Sequence, residues 1–596
     1  MTTLPLRACA WCAGYGHDVG RDVGRVIRVR SDAALANVLW LARNAGAAAT
    51  FARALGDTEG AQTRWLRRQL LRHATSDFGR RHDFGGIRDY DDFARRVPLC
   101  DYEHVATFMP GILRGERDVL ACGGVTHLAP TSGSSGARKL IPFTATLQEG
   151  FSAAVGAWMV DLVRQRPRII GGPAYWSVSP LVGDAAEDVA THEVQPTGPH
   201  TDRADVAPGR RSSAAVPIGF ADDADYLGGA SAWLVRQALA APASLRHVRD
   251  TRAFWALTLL ALLRQRDLRL ISIWHPSFLD LLVDAAAPNW PMLLDAIAGG
   301  DCPWVDALPL AERDAWRVAP APTRASELRR IGSGDWPRWW PRLQVVSCWG
   351  EQAAEAGWER LRRSLPGVLV QAKGLLATEG VVTIPLGSAR VLAVTSHFFE
   401  FLDERGEVRA AHQLALGYPY EVVVTNGGGL WRYRLGDVVE CTGHVRTAPS
   451  LRFLGRAGHA SDLRGEKLAE VFVAEVLRAL WPATSLPEFA ALRTTERDGA
   501  AGYDLLVSPD GLVTSTAALA HQLDHALHAN PHYALARRLG QLTMPRVVLI
   551  PAGGRRAEIG AHAGRLGDAK PRVLLSADRR EPGQHDKPHQ DFVIPS

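Results

Sequence analysis

Residues 131–144 read TSGSSGARKLIPFT, with four hydroxyls, two glycines and a lysine inside the first nine positions. Gly133 and Gly136 let the backbone turn tightly and approach a ligand. Thr131, Ser132, Ser134 and Ser135 offer hydroxyl donors, and Lys139 offers a cation. Such a set suits a polyphosphate, although an ordinary surface loop has the same composition. It is not the Walker form G-x-x-x-x-G-K-[ST], because Gly133 and Gly136 stand too close together and Lys139 does not follow a glycine. A second cluster, GLLATEG, ends in Thr378, Glu379 and Gly380. A carboxylate in a glycine-bounded turn can hold Mg2+ beside a phosphate, since Mg2+ favours hard oxygen ligands and takes only one or two from a protein. The alternative is a helix N-cap. In LWRYRLGDVVECTG, Asp437 follows a glycine turn at the start of a β-like run, where it could accept from both ribose hydroxyls or be a plain hairpin aspartate. FLGRAGHASDLRGEKL carries Arg456, Asp462, Gly465, Glu466 and Lys467 at a joint between elements, or else in an exposed charged turn.

The elements that must position these groups read as α/β. Short β-like runs begin at Leu268, Leu343, Arg390, Tyr420 and Pro545, and they alternate with helical stretches such as 352–364 and 466–480. From Asp32 to Ala74 the apolar residues recur at three- and four-residue spacing, which predicts packing helices. Residues 192–215 are rich in Pro, Gly, Ser and charge and read as a surface loop, and no internal repeat is visible. The chain has 596 residues, 46% hydrophobic and 22% charged, enough for more than one domain with a sizeable core. A net charge of +5 without a sustained Lys/Arg block argues against nucleic acid as the main ligand. Cys9 and Cys12 form a lone C-x-x-C with no second half to complete a zinc site, so the seven cysteines read as incidental thiols in a reducing compartment. The N-terminal stretch lacks the pattern of a secretory signal, and the apolar run from Phe254 is too short to span a bilayer. A cytoplasmic protein without membrane or nucleic-acid partners is expected.

Taken together and in this order, the four clusters resemble the adenylate-forming enzymes: a T-S-G-[ST]-[ST]-G-x-x-K loop, a T-E pair, Y-R-x-G-D and G-R-x-x-x-x-D. The flanking stretches DFGRRHDFGGIRDYDDFARRVPLCDYEHV, KLIPFT, LISIWHPSFL, HFFEF and YRLGDVVE are similar to the acyl acid amido synthetases named Gretchen Hagen three, with the likeness running from about residue 60 to 575.

This resemblance implies a large N-terminal adenylate-forming domain, with helix-flanked sheets and a β-barrel-like part, and a small mobile α+β C-terminal domain. The expected division is an N-terminal extension at 1–31, the large domain at 32–452, the small domain at 453–577 and a tail at 578–596. It also implies ATP and Mg2+, with a carboxylic acid and an amino acid as partners and a monomer as the working unit. Thr131, Ser132, Gly133, Ser134, Ser135, Gly136 and Lys139 would surround the phosphates, with Thr378 near the α-phosphate. Glu379 would hold the metal, Asp437 the ribose, and Arg456 ribose or phosphate near a hinge. Gly350 would lie along the adenine side. Lys570, in RLGDAKPRV, would reach the acid during adenylation. Tyr175 and Trp176, with Trp274, His275 and Phe278, would wall a pocket for an aromatic or other flat acid such as an indole-acetate or benzoate. An acyl-CoA ligase, differing in its acceptor, and a non-catalytic nucleotide-binding scaffold are the alternatives.

Overall fold

The loop TSGSSGARK connects the two strands of an antiparallel hairpin, β1 (Val125–Pro130) and β2 (Leu140–Thr144), closed by a Thr131 N–H to Lys139 carbonyl bond of 2.9 Å. A computed structural model describes residues 31–131, 139–177, 216–218, 223–316, 319–458, 460–464, 466–482, 485–497, 500–512, 514–550 and 572–575. Ser132, Gly133, Ser134, Ser135, Gly136, Gly465 and Lys570 lie outside the described residues, as do Cys9, Cys12, the stretch 192–215 and the tail 578–596.

Four short strands, β3 (Ala174–Trp176), β4 (Leu270–Ser272), β5 (Val345–Cys348) and β6 (Leu369–Ala372), form a parallel sheet in that order. Parallel strands covered on both faces need continuous apolar runs, and β5 is buried at all four positions. The helix Thr251–Leu263 packs Phe254, Leu257 and Leu260 into a core shared with Ile271, Phe278, Val346 and the fully buried Trp339. Asp250 caps that helix by accepting from the Ala253 N–H at 2.6 Å.

Two two-residue strands, β7 (Leu376–Ala377) and β8 (Gly380–Val381), make a tight hairpin whose turn is Thr378–Glu379. The T-E pair therefore sits in a β-turn and not at a helix N-cap. Next come β9 (Thr383–Leu386), β10 (Ala389–Leu392), β11 (Phe398–Leu402), β12 (Val408–Ala410), β13 (Pro419–Thr425), β14 (Tyr433–Val445) and β15 (Ala448–Arg456). They form one curled antiparallel sheet in the order β12-β11-β13-β14-β15-β10-β9. Its apolar face joins a second core with the helices Thr58–His73 and Ala145–Gln165, through Trp65, Leu66, Leu147, Phe399, Val422 and Trp431. Asp437 is inside β14, not at its start. Gly436 has φ +78°, and the pairing with β15 shifts between Val438 and Val439, so a bulge takes the place of the expected turn.

A third core begins at Leu468. After the small hairpin β16 (Ala460–Ser461) and β17 (Leu468–Ala469), the helix Glu470–Ala479 packs near a mixed sheet of β18 (Ala490–Arg497), β19 (Ala500–Val507), β20 (Arg546–Leu549) and β21 (Leu574–Leu575). β15 runs through residue 453 to Arg456 and belongs wholly to the curled sheet. The two bodies touch through Arg478 Nε and Glu355 Oε2, 3.2 Å apart. None of the described helices is long and apolar enough to cross a membrane.

Candidate active site

Hydrogen bonds continue past the carboxyl ends of the parallel strands. Ser177 N–H donates to the Ser272 carbonyl (2.9 Å), Trp349 N–H to Trp274 (2.8 Å) and Lys373 N–H to Cys348 (2.8 Å). Trp274, Gly350 and Lys373 are thus held along one edge, where open α/β sheets bind ligands. Gly350 is required by packing: a Cβ there would stand 2.8 Å from Ala372 Cβ and 3.1 Å from Trp358. Beside it, Glu351 lies 2.6 Å from Arg390 and accepts from the Phe453 N–H at 3.2 Å, which ties this edge to β15. Lys373 is buried, with its ammonium 4.8 Å from the centre of the Trp274 ring.

Glu379, Asp437 and Arg456 converge from three separate elements. β14 and β15 pair Asp437 directly opposite Arg456, and Arg456 Nε donates to Asp437 Oδ1 at 3.0 Å. Asp437 is completely buried, so the guanidinium supplies charge compensation that water cannot. The Asp437 charge is the main cause that raises the Arg456 pKa above the ordinary arginine value, against burial, and the Glu379 charge adds to it. Tyr433 belongs to the same group. Burial pushes its phenol up first, followed by the charges of Glu379 and of Cys100.

The phosphate-loop hairpin reaches this group through tyrosines. Leu140 N–H donates to Tyr102 Oη at 2.8 Å, and Lys139 Nζ lies 5.5 Å from the Tyr102 ring centre. Tyr102 in turn influences Tyr433. The segment containing Cys100 pairs with β14 by a parallel bridge at Tyr433, with bonds from Cys100 N–H to the Arg432 carbonyl (3.0 Å) and Arg434 N–H to the Cys100 carbonyl (2.8 Å). Lys139 is thus linked through Tyr102 to Tyr433, whose phenol also feels the Glu379 charge.

From the small domain, Glu470 accepts from the Val573 N–H at 3.2 Å. Burial holds the Arg572 guanidinium below its usual range, and the like charge of Arg456 pushes it the same way while Glu470 opposes. Arg572 thus feels the Arg456 charge, and it follows Lys570 by two positions.

The aromatic residues expected to wall an acyl pocket divide between two cores and the strand edge. Tyr175 and Phe278 are buried in the sheet-helix core, 6.3 Å apart between ring centres, with Trp255 4.9 Å from Phe278. Trp176, one residue on, faces the opposite side and packs with the cluster around Trp40, Leu234 and Val235. His275 caps the helix Pro276–Asp284 by accepting from the Ser277 N–H at 3.2 Å. Of the five, Trp274 is partly buried at the strand edge and pairs with Lys373.

Residues 47–177 and 206–370 match the GH3 family N-terminal domain, and residues 390–456 match the GH3 family central domain. The chain belongs to the GH3 family. It is 31% identical over 266 residues to a human GH3 domain-containing protein, covering 40% of this chain and 50% of that one. The chain thus spans about half the length of the human and mouse relatives it matches. An indole-3-acetic acid-amido synthetase from Oryza sativa subsp. indica, GH3.8, is 24% identical over 455 residues, 72% of this chain and 71% of its own. Among solved structures, AtGH3.15 acyl acid amido synthetase in complex with 2,4-DB superimposes with a TM-score of 0.72 at 17% identity, covering 90% of this chain and 94% of that one. This likeness shows the GH3 protein's fold: a large α/β domain followed by a smaller one.

Tyr102, Lys373, Asn426 and Tyr433 escaped the sequence reading of this GH3 chain. Tyr433 lies within the quoted YRLGD stretch, and its neighbours drew the attention. Lys373 directly follows β6, and a lone charge at the end of a buried strand is a usable signal of a buried cation.

Proposed function

We propose that this GH3 protein is an ATP-dependent acyl acid amido synthetase. A substrate carboxylate attacks the α-phosphorus of ATP, forming a new O–P bond as pyrophosphate leaves. The amine of an amino acid then attacks the acyl carbon, forming a C–N bond, losing a proton and expelling AMP. The convergence of Glu379, Asp437 and Arg456 beside the hairpin that bears Lys139 carries the reading, because it juxtaposes every described motif of an adenylation site.

In this reading Lys139 and the hydroxyls of residues 131–135 neutralise and align the polyphosphate, Thr378 lies near the α-phosphate, and Asp437 orients the ribose. Alignment and charge compensation are the main requirements of such a displacement. Lys570 approaches the acid from the small domain, a role in keeping with the charge of Arg456 acting on Arg572 two positions later. The body that carries Lys570 then begins just past Arg456 and not at the expected 452/453 division, because β15 belongs wholly to the curled sheet of the nucleotide-binding body. Mg2+ fits the donor set: the described residues include no cluster of three or more His, Cys, Asp or Glu side chains, while Glu379 offers one buried carboxylate. This ion usually takes one or two protein carboxylates and completes its shell with water and substrate phosphates. When bound, it would offset phosphate charge. Trp274 and Lys373 are the described groups placed to meet the acyl acid, which the family likeness suggests is aromatic, as the indole-acetate named in the rice relatives.

Pyrophosphate release from ATP, screened against aromatic and aliphatic carboxylic acids, tests the proposal. Release that requires an acid, followed by amide formation with amino acids, is the expected result. Thioester formation with coenzyme A in place of amide would identify an acyl-CoA ligase, and no release with any acid would leave a nucleotide-binding scaffold.

A further inference from the structure

The turn Asn426–Leu430, between β13 and β14, touches both the Glu379 turn and the end of the phosphate-loop hairpin. We propose that Asn426 is a positioning residue that sets the Glu379 turn against the phosphate-loop hairpin. The proposal rests on the metal-binding reading of Glu379.

Asn426 is completely buried and three of its hydrogen-bonding positions are used. Its Oδ1 accepts from the Gly428 N–H (2.8 Å) and the Leu430 N–H (3.1 Å), which shapes its own turn. Its Nδ2 donates to the Glu379 carbonyl at 2.6 Å, which fixes the backbone of the residue that carries the carboxylate. The other flank of that turn is held by His397, whose Nε2 accepts from the Val381 N–H at 3.2 Å.

The following glycines press the same turn onto the hairpin. Thr144 Oγ1, at the end of β2, donates to the Gly427 carbonyl at 2.8 Å. A Cβ on Gly427 would stand 2.5 Å from Thr146 Cγ2, and one on Gly428 would stand 2.7 Å from the Pro142 carbonyl oxygen. No side chain fits at either position without a shift of β2 or of the helix that follows it. One amide thus spans two motifs far apart in sequence: a displacement of β2 is passed through Gly427 to Asn426, and from Asn426 to Glu379.

Asn426→Asp separates the two halves of this role. Ionised aspartate still accepts from Gly428 and Leu430 but cannot donate to the Glu379 carbonyl. Affinities for Mg·ATP and for metal-free ATP are measured by tryptophan fluorescence, with circular dichroism as the folding control. The expected result is Mg·ATP binding weakened about 10- to 100-fold, the range for residues that orient a metal ligand, with metal-free ATP binding changed less than about twofold on the same scale. Asn426→Ser, whose hydroxyl serves the local turn and is too short to reach Glu379, gives the same selective loss if the aspartate variant does not fold. Equal weakening of both ligands, or wild-type Mg·ATP binding in a folded variant, overturns the proposal. Glu379→Gln is run in parallel. If it keeps wild-type preference for Mg·ATP, the metal reading itself fails. If it loses that preference while both Asn426 variants keep it, only the positioning role fails.

Discussion

Arg456 Nε donates to Asp437 Oδ1 at 3.0 Å across directly opposed positions of β14 and β15, with the carboxylate fully buried and the guanidinium partly open to solvent. The guanidinium therefore stands as the counter-charge to a carboxylate that has no access to solvent. Asp437→Asn removes one charge-assisted acceptor, a loss of about 1.5–3 kcal/mol for a hydrogen bond to a charged group. Half-saturation by ATP is expected to rise about 10- to 100-fold on that energy, and ATP titration of pyrophosphate release measures it. The unfolding midpoint is expected to fall too, because the variant removes the hydrogen-bonded counter-ion of Arg456.

Glu379→Gln tests the carboxylate in the Thr378–Glu379 turn. The amide keeps the size of the side chain and removes its charge. Turnover at saturating acid should fall about 10²- to 10³-fold, the usual effect of losing a group that stabilises charge in the transition state. Recovery at raised Mg2+ concentration would show that weakened metal binding is the cause.

A structural prediction concerns Arg432, which is buried with φ +49° at the start of the YRLGD strand. Its Nε and Nη2 donate to the Glu400 carboxylate at 2.8–3.1 Å, and Nη1 donates to the Ala94 and Val97 carbonyls at 2.9 Å. Tyr90 Oη donates to the same carboxylate at 2.8 Å. Breaking such a pair from one side leaves a buried charge uncompensated, so Glu400→Gln should cost about 3–5 kcal/mol. Urea denaturation is the measurement, and Arg432→Lys should not restore stability, since an ammonium cannot reproduce the planar fork.

Two buried histidines make stability depend on pH. Burial holds His397 down at about 3 and His73 at about 4, both below the ordinary histidine value of 6.5. Below pH 6.5 the unfolded chain takes up protons that the folded chain refuses, so stability falls as pH falls towards those values and is unaffected by these groups above 6.5. Each group contributes a slope of about 1.4 kcal/mol per pH unit in that window. Unfolding at pH 7.5 and pH 5 measures the slope, and His397→Gln should reduce it by the contribution of one group while retaining an acceptor for the Val381 N–H.

Local chemistry made much of this protein readable in one dimension. The β-branched and apolar runs around Val345 and Tyr420 became β5 and β13, and the helical period from Asp32 became the helices Ser31–Ala54 and Thr58–His73. Short-range spacing decides such elements, so they survive translation from sequence to structure. The order of the four chemical motifs was equally legible. Tertiary structure alone decided which groups meet. Asp437 faces Arg456 because two bulges set the register of β14 on β15, and a shift of one residue would have turned each side chain to the other face. Tyr175 and Phe278 entered the core, while Trp274 stayed at the edge, because the packing of helices over the parallel sheet settles which face is sealed. Asn426 drew no notice in a glycine-rich turn, since its significance lies in a carbonyl 47 residues away. Long-range register and helix packing leave no mark in local composition, and they determine how this site is assembled.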